Sequence, residues 1–259
     1  MLIATWNVNS IRVRLPRVLD WLREMTPDTL LLQETKTPDQ FFPRLELQDI
    51  GYHSLIHGEK SYNGVAILSR RQMEVTERSL PGADDDKQAR YLEVRCGDNI
   101  RIASLYLPNG NPVGSARFAY KMTWMARLYR HARTLLQTGD AVILGGDYNV
   151  CPTDDDVYAP EEWAENALCR LEARQAFQKI LLLGYCDAFR FFHSTQGEYT
   201  FWSYQGGAWS HNMGLRIDHL LLSPQATNLL EESGIDKRPR GYSRTSDHAP
   251  VWCRLREVA

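Results

Sequence analysis

Acid- and amide-bearing side chains stand where apolar runs of this chain stop. Asn7 and Asn9 follow Ile3–Trp6, Glu34 follows Leu30–Gln33, and Asp147 and Asn149 follow Val142–Gly146. Asp218 lies inside Arg216–Leu222, and Asp247 and His248 precede Ala249–Trp252. Strand ends in α/β folds line ligand crevices. Carboxylates and amides gathered there make a hard oxygen-donor set, suited to Mg2+ or Mn2+ rather than zinc. A carboxylate buried alone is costly, so each of these calls for a metal, a histidine or a donor beside it. Taken singly, Asn7 reads as a turn former, and Glu34 as either a helix-start charge or a ligand. Gly145 and Gly146 let the backbone before Asp147 approach a ligand closely. The pair Asp247 and His248 reads as a hydrogen-bonded turn or as part of a site. Asp218, inside an apolar strand, has no ready surface role. Together they describe one cleft.

The elements that must position these groups are legible as short apolar runs rich in branched and aromatic residues. They are Leu2–Trp6, Thr29–Leu32, Gly64–Leu68, Tyr91–Arg95, Ile100–Leu105, Ala141–Leu144, Ile217–Leu222 and Val251–Leu255. Several are nearly continuous in apolarity, as strands covered on both faces are. Three helices are expected. Arg14–Met25 places Leu15, Val18, Leu19 and Leu22 on one face and closes at Thr26 and Pro27. The others are Ser115–Gln137 and Leu168–Leu182, the latter ending at Gly184. The fold class is α/β, with sheets packed between helices. An internal echo joins Ile3–Asn9 to Val142–Asn149: each runs from a buried strand into two polar side chains one residue apart. Two similar halves whose strand ends converge on one cleft would explain it.

Bulk properties narrow the field. The chain has 259 residues, 30 basic and 32 acidic side chains, net charge -2, 43% hydrophobic and 24% charged residues. That is too apolar for a disordered chain and too neutral for a purely electrostatic DNA binder. A nuclease is compatible, since an acidic metal centre offsets a basic binding face. No apolar run approaches the roughly 20 residues that span a bilayer, and no basic region followed by an apolar stretch opens the chain. Five cysteines without a paired spacing argue for reduced thiols rather than a disulfide framework or structural zinc. A cytoplasmic, monomeric protein of one domain over residues 1–259 is expected, with no membrane partner. Neither a GxxxxGK[ST] nor a GxGxxG motif is present, so a nucleotide cofactor has no support. His53 and His57 flank a strand and read as structural. The acidic runs Asp84–Asp86 and Thr153–Asp156 read as solvated loops, and Met122, Trp124 and Met125 as helix packing.

Six ordered segments carry a resemblance: Trp6–Asn9, Leu32–Lys36, Leu105–Gly110, Gly146–Asn149, Gly214–Asp218 and Ser246–Pro250. In that order and spacing, over residues 1–256, they resemble the exonuclease III family of apurinic/apyrimidinic (AP) endonucleases, in the Mg2+-dependent endonuclease/exonuclease/phosphatase superfamily. The resemblance implies a four-layered α/β sandwich of the deoxyribonuclease I type: two packed mixed sheets flanked by helices. It implies hydrolysis of DNA phosphodiesters to a 3′-hydroxyl and a 5′-phosphate, with Mg2+ as cofactor and Mn2+ able to substitute. The expected activities are a 3′→5′ exodeoxyribonuclease on duplex DNA and an AP endonuclease incising 5′ to abasic sites. Glu34 is implied as principal metal ligand, with Asn7, Asp147, Asn149, Asp247 and His248 as further metal-site candidates. Asp147 matches the catalytic aspartate that activates water or protonates the leaving oxygen. Asn149 would hydrogen-bond the scissile phosphate or the water, and Tyr106 would contact that phosphate with its phenol. His248 would bind the phosphoryl oxygen or act as base, oriented by Asp218. In-line attack on a phosphodiester needs these functions: an activated water, neutralised non-bridging oxygens and help for the leaving oxygen.

The resemblance also implies DNA contacts at Arg90, Asn109, Asn111 and Lys121. Trp209, Asn212 and Leu215 would belong to a loop that enters the minor groove and helps to form the pocket for a flipped-out abasic sugar. Lys237, Arg238, Arg240 and Arg244 form a basic cluster suited to a phosphate track. Leu215 stands where relatives with dominant abasic-site activity carry an aromatic residue, and so resembles the bacterial exonuclease III branch. Tyr148 replaces the more usual phenylalanine. The alternative reading is another phosphodiesterase or phosphatase of the superfamily, a non-specific deoxyribonuclease or a phosphoinositide phosphatase. A catalytically silent DNA-binding protein is disfavoured, because every candidate catalytic position is intact.

Overall fold

A computed structural model describes residues 1–97 and 99–256. The strands are β1 (Leu2–Asn7), β2 (Thr29–Gln33), β3 (His53–His57), β4 (Val65–Ser69), β5 (Glu74–Glu77) and β6 (Tyr91–Cys96), then β7 (Ile100–Tyr106), β8 (Ala141–Asp147), β9 (Cys186–Asp187), β10 (Asp218–Leu222), β11 (Leu230–Ile235) and β12 (Val251–Leu255). The helices are α1 (Ile11–Met25), α2 (Arg44–Gln48), α3 (Ala116–Leu136), α4 (Pro160–Trp163), α5 (Leu171–Leu182), α6 (Ala188–Phe192) and α7 (Pro224–Thr227). They build two six-stranded mixed sheets, ordered β11-β12-β1-β2-β4-β3 and β5-β6-β7-β8-β10-β9. Each sheet holds one parallel pair, β1 with β2 and β7 with β8. Parallel neighbours need a crossover, and α1 and α3 supply it. Among the described residues, no helix is long and apolar enough to cross a membrane.

The continuous apolarity of the strands has its cause in the layering. Ile3, Leu31, Val65 and Ile67 of the first sheet face Leu92, Ile102, Ile143 and Leu220 of the second. The alternate residues Ala4, Trp6, Leu30 and Leu32 face α1 through Val18, Trp21 and Leu22. On the far side, Tyr91, Leu105, Val142 and Leu144 pack on Trp124 and Leu128 of α3 and Phe177 of α5. Successive strand residues point to opposite faces, and here both faces are covered. The result is the four-layered sandwich. The five cysteines carry free thiols, four of them buried.

The internal echo has a structural counterpart. Counted from β11 in one sheet and β9 in the other, β1 and β8 occupy the same place, each beside its parallel partner. The chain is not divided into two halves, however: β11 and β12 return to the sheet that β1 to β4 began.

Element ends differ from the sequence reading for tertiary reasons. α1 begins at Ile11 rather than Arg14, because the amides of Ser10 and Ile11 donate to the carbonyls of Glu34 and Thr35 at 2.7 and 3.2 Å. That cap comes from the exit of β2. α5 begins at Leu171 rather than Leu168: the amides of Ala167 and Leu168 are taken by the side chains of Asn111 and Asn166. The strands missed altogether, β5, β9 and β11, are sheet edges, where polar residues replace the apolar run. His53 and His57 are themselves the ends of the edge strand β3.

Candidate active site

Register sets the floor of the site. Tyr106 at the end of β7, Asp147 at the end of β8 and Asp218 at the start of β10 lie side by side across one sheet. Asn7 ends β1 of the other sheet, paired with Gln33, so Glu34 leaves β2 directly beside it. The Asn7 amide nitrogen donates to Glu34 Oε1 at 2.8 Å and to Asp147 Oδ2 at 2.9 Å, bridging the two sheets. Ligand atoms of Glu34, Asp147 and His248 all lie within 4.8 Å of one another. Glu34 is also held by Lys36 Nζ at 2.7 Å, which donates to Asn9 Oδ1 at 2.6 Å as well. Asn9 in turn donates to Asp247 Oδ1 at 3.0 Å. His248 is fixed through Nδ1, 2.8 Å from Asp218 Oδ2, and its Nε2 lies 3.9 Å from Asp147 Oδ2. Thr200 donates to the same Asp218 oxygen at 2.7 Å, and the Phe201 ring packs 5.0 Å from the imidazole.

Glu34, Asn9 and Asn149 have φ of +49°, +44° and +48°. Non-glycine residues there cost roughly 1–3 kcal/mol each and persist only where neighbours over-determine them. They are over-determined here. Thr35 and Lys36 donate backbone bonds to Gly64 and Asn63, and the Asn149 amide donates to Asp147 Oδ1 at 2.8 Å.

Burial and charge tune the groups unequally. Burial would raise the Glu34 carboxyl, but the Lys36 ammonium and the Asn7 hydrogen bond outweigh it and hold Glu34 below its ordinary range. Burial, then the charge of Asp218 opposite, pushes Asp147 up to about 7, against the pull of His248 and Asn7. Burial alone would lower His248, yet the charge and hydrogen bond of Asp218 raise it to about 10. Burial and the charges of Glu34 and Asp147 push the Tyr106 phenol well above its ordinary value, so it stays a donor. The Arg90 guanidinium lies 4.8 Å from the centre of its ring. At neutral pH the site offers a charged imidazole, a carboxylate poised to exchange a proton, a phenol and an anionic carboxylate. That suits charge development on a phosphoryl group.

The cleft holds about 220 Å³ and is lined by Glu34, Tyr106, Asn109, Asn111, Asp147, Asn149, Asp247 and His248. Its apolar wall is Trp163, Leu168, Phe201 and Ile217. The sequence reading did not identify this wall, because its residues come from the end of α4, the entry to β10 and two separate loops, and share no periodic signal. Both amide atoms of Asn149 are engaged inside the protein, with Leu107 O at 2.9 Å and Asn109 Nδ2 at 3.2 Å.

Other expectations need correction. Lys121, expected against DNA, is fully buried, with Nζ on the carbonyls of Asn109 (3.1 Å) and Asn149 (2.6 Å). Burial pushes its ammonium down to about 7, opposed by the charge of Asp147. Leu215, expected in the groove-facing loop, is buried among Cys151, Val157 and Leu168. Asn212 is exposed and Trp209 half-buried, its ring against Trp202 and near Arg240. The basic cluster is largely spent internally: Lys237 pairs with Glu198, Arg238 with Asp236 and Glu24, and buried Arg240 donates to Trp202 O. Thr153–Asp156 is no solvated loop, since Asp156 is buried and ion-paired with Arg216 and Arg190. Asp86 likewise takes Tyr120 and Arg127. Gly145 and Gly146 serve packing rather than ligand approach. A Cβ on Gly145 would meet Leu31 and Leu220 at 2.5 and 2.6 Å, and one on Gly146 would strike the Leu105 carbonyl oxygen.

Comparison with known proteins agrees with this geometry. A relative from Haemophilus influenzae named exodeoxyribonuclease III is 28% identical, over 99% of this chain and 100% of its own length. The 3′-5′ exonuclease NExo from Neisseria meningitidis superposes with a TM-score of 0.96 at 40% identity, covering 99% of this chain and 100% of that one. NExo is also described as a 3′ phosphatase, bound to a product DNA hairpin. An AP endonuclease from Archaeoglobus fulgidus gives a TM-score of 0.93 at 35% identity, covering 98% of this chain and 99% of that one. The model of the endonuclease/exonuclease/phosphatase family matches residues 4–248. With its strand ends meeting at Glu34, Asp147 and His248 and its family match running through nearly the whole chain, this protein belongs to the endonuclease/exonuclease/phosphatase family, in its exonuclease III group.

Proposed function

We propose that this protein is a Mg2+-dependent DNA-repair nuclease, acting as a 3′→5′ exodeoxyribonuclease on duplex DNA and as an AP endonuclease 5′ to abasic sites. The observation that carries the reading is the convergence of Glu34, Asp147 and the Asp218-held His248 in one polar cleft. The names of the similar proteins from Haemophilus, Neisseria and Archaeoglobus support DNA as the substrate class. The donor set fits a hard divalent cation: Glu34 is kept anionic, the Asp147 carboxylate lies within reach, and Asn7 orients both. Glu34 and Asp147 would hold the ion. When bound, Mg2+ would neutralise charge on a non-bridging phosphate oxygen and increase the acidity of nearby water.

The chain's own residues would do the rest. His248, charged and clamped through Nδ1, donates from Nε2 to a phosphoryl oxygen. Tyr106 donates its phenolic proton to the same group. Asp147, whose Oδ2 lies 3.9 Å from His248 Nε2, takes the proton of the attacking water or returns one to the leaving 3′ oxygen. Asn149 and Asn109 hold the rear of the cleft rigid. Asp247, tied to Asn9, shapes the metal side of the cleft. Trp163, Leu168, Phe201 and Ile217 would receive a sugar that lacks its base. Exposed Asn109 and half-buried Arg90 and Asn111 line or border the path of the DNA backbone.

The deciding experiment uses three labelled duplexes: one with a central abasic-site analogue, one with a recessed 3′ end and one with a 3′-phosphate. Each is run with Mg2+ or Mn2+ and with EDTA, beside Glu34→Ala. A metal-dependent nick 5′ to the lesion and a ladder from the recessed end, both lost in the variant, are expected. Release of phosphate from the third duplex measures the 3′-phosphatase share. A folded protein inert on all three would refute the DNA reading and move the search to phosphoinositides and other phosphate esters.

A further inference from the structure

We propose that Lys121 is a positioning residue of this reaction, tying the loop that carries Asn109 to the loop that carries Asn149 and so fixing the rear wall of the cleft. Lysine is almost never fully buried, because stripping its head group of water is costly. Here the whole side chain is buried on α3, and Nζ is spent on two backbone carbonyls, those of Asn109 at 3.1 Å and Asn149 at 2.6 Å. Both are the peptides of cleft-lining asparagines. The connection continues toward the chemistry. Asn109 Nδ2 donates to Asn149 Oδ1 at 3.2 Å, and the Asn149 amide donates to Asp147 Oδ1 at 2.8 Å.

The loop is shaped around the lysine stem. Gly110 has φ of +89°, and a Cβ there would meet Lys121 Cδ at 2.6 Å and Cβ at 3.2 Å. Asn149 sits at φ +48°, a conformation that needs its peptide held from outside. A methionine would fill the same space at less desolvation cost, so packing alone does not account for a lysine here. Contact with DNA does not account for it either, because the ammonium does not reach the surface.

The inference rests on the hydrolase reading above. Its test compares kcat and KM of wild type, Lys121→Met and Asn109→Ala, and of the double variant, on the duplex that wild type cleaves best, with thermal melts of each. Lys121→Met is expected to stay folded and to lose kcat on the order of 100-fold, the scale of a 1 Å misplacement, with KM changed far less. In the Asn109→Ala background the same substitution should add much less, because Lys121 Nζ and Asn109 Nδ2 both act by holding one residue, Asn149. An unchanged kcat, fully multiplicative losses, or a loss confined to KM overturns the proposal. If Lys121→Met does not fold, Lys121→Gln is read instead. It keeps a donor on a stem too short to bridge both carbonyls, so unchanged kcat there is equally fatal. A wild type inert on every duplex sinks this inference together with the hydrolase reading. An active wild type matched by Lys121→Met sinks the inference alone.

Discussion

Asp218 and His248 show how one buried contact sets the protonation of a site. Removing the imidazole from water favours its neutral form, and the adjacent carboxylate overturns that preference, raising His248 to about 10. Asp218→Asn keeps the acceptor for Thr200 and removes the charge. Since burial still opposes the imidazolium and only the charges of Asp147 and Asp247 remain to favour it, the His248 pKa should fall toward its ordinary value of about 6.5. At pH 8 the imidazole is then neutral, and kcat should drop roughly a hundredfold or more. An NMR titration of the His248 ring in wild type and variant checks this. A ring still charged at pH 8 in Asp218→Asn would show that Asp147 or the general field, not Asp218, holds the proton.

The strand β8 positions Asp147 by allowing its neighbours unusually close. Its apolar run was legible in the sequence, and so was the functional weight of Asp147. What the two glycines are for was not, since the atoms they admit belong to β2, β7 and β10. Gly146→Ala pushes a methyl into the Leu105 carbonyl at the residue before Asp147. A loss of roughly 1–3 kcal/mol by urea denaturation is expected. A disproportionate loss of activity should accompany it, because the register of Asp147 against Tyr106 and Asp218 shifts. Wild-type stability and kcat in this variant would mean that the strand end relaxes freely. Helix starts tell the same story. α1 is capped by carbonyls of the Glu34 segment, so its boundary is a property of packing that local composition does not contain.

The molecule is held in part by buried charges that sense pH. Burial would raise Asp156 and Asp187, but Arg216 between them keeps both below the ordinary carboxylate range. Burial would raise Glu93 too, and His131, Tyr91 and Thr76 hold it down. A depressed folded pKa adds stability that is complete above the unfolded value and is lost as pH falls through the folded one. Each unit of depression is worth about 1.4 kcal/mol at neutral pH. The contribution of these three carboxylates is therefore constant from about pH 8 to 5, and the melting temperature should fall steeply below about pH 4 as it is lost. Calorimetry or circular dichroism measures this. A melting temperature that holds level to pH 3 would show that these buried pairs contribute no pH-dependent stability.

Much of this protein can be read along the chain, because burial on both faces leaves strands as unbroken apolar runs and makes a carboxylate at their ends conspicuous. Glu34, Asp147, Asp218 and His248 stood out for that reason, and so did the α/β class. The tertiary structure decided which of these groups touch and at what distance. It decided that His248 is charged, since that depends on an aspartate 30 residues away in the chain. It also turned Lys121 from an expected DNA contact into a buried tie, and Asp156 from an expected loop charge into half of an ion pair. Residue type tells what a side chain can do. Only the fold sets what surrounds it, and the cost of burying charge makes those surroundings the stronger term.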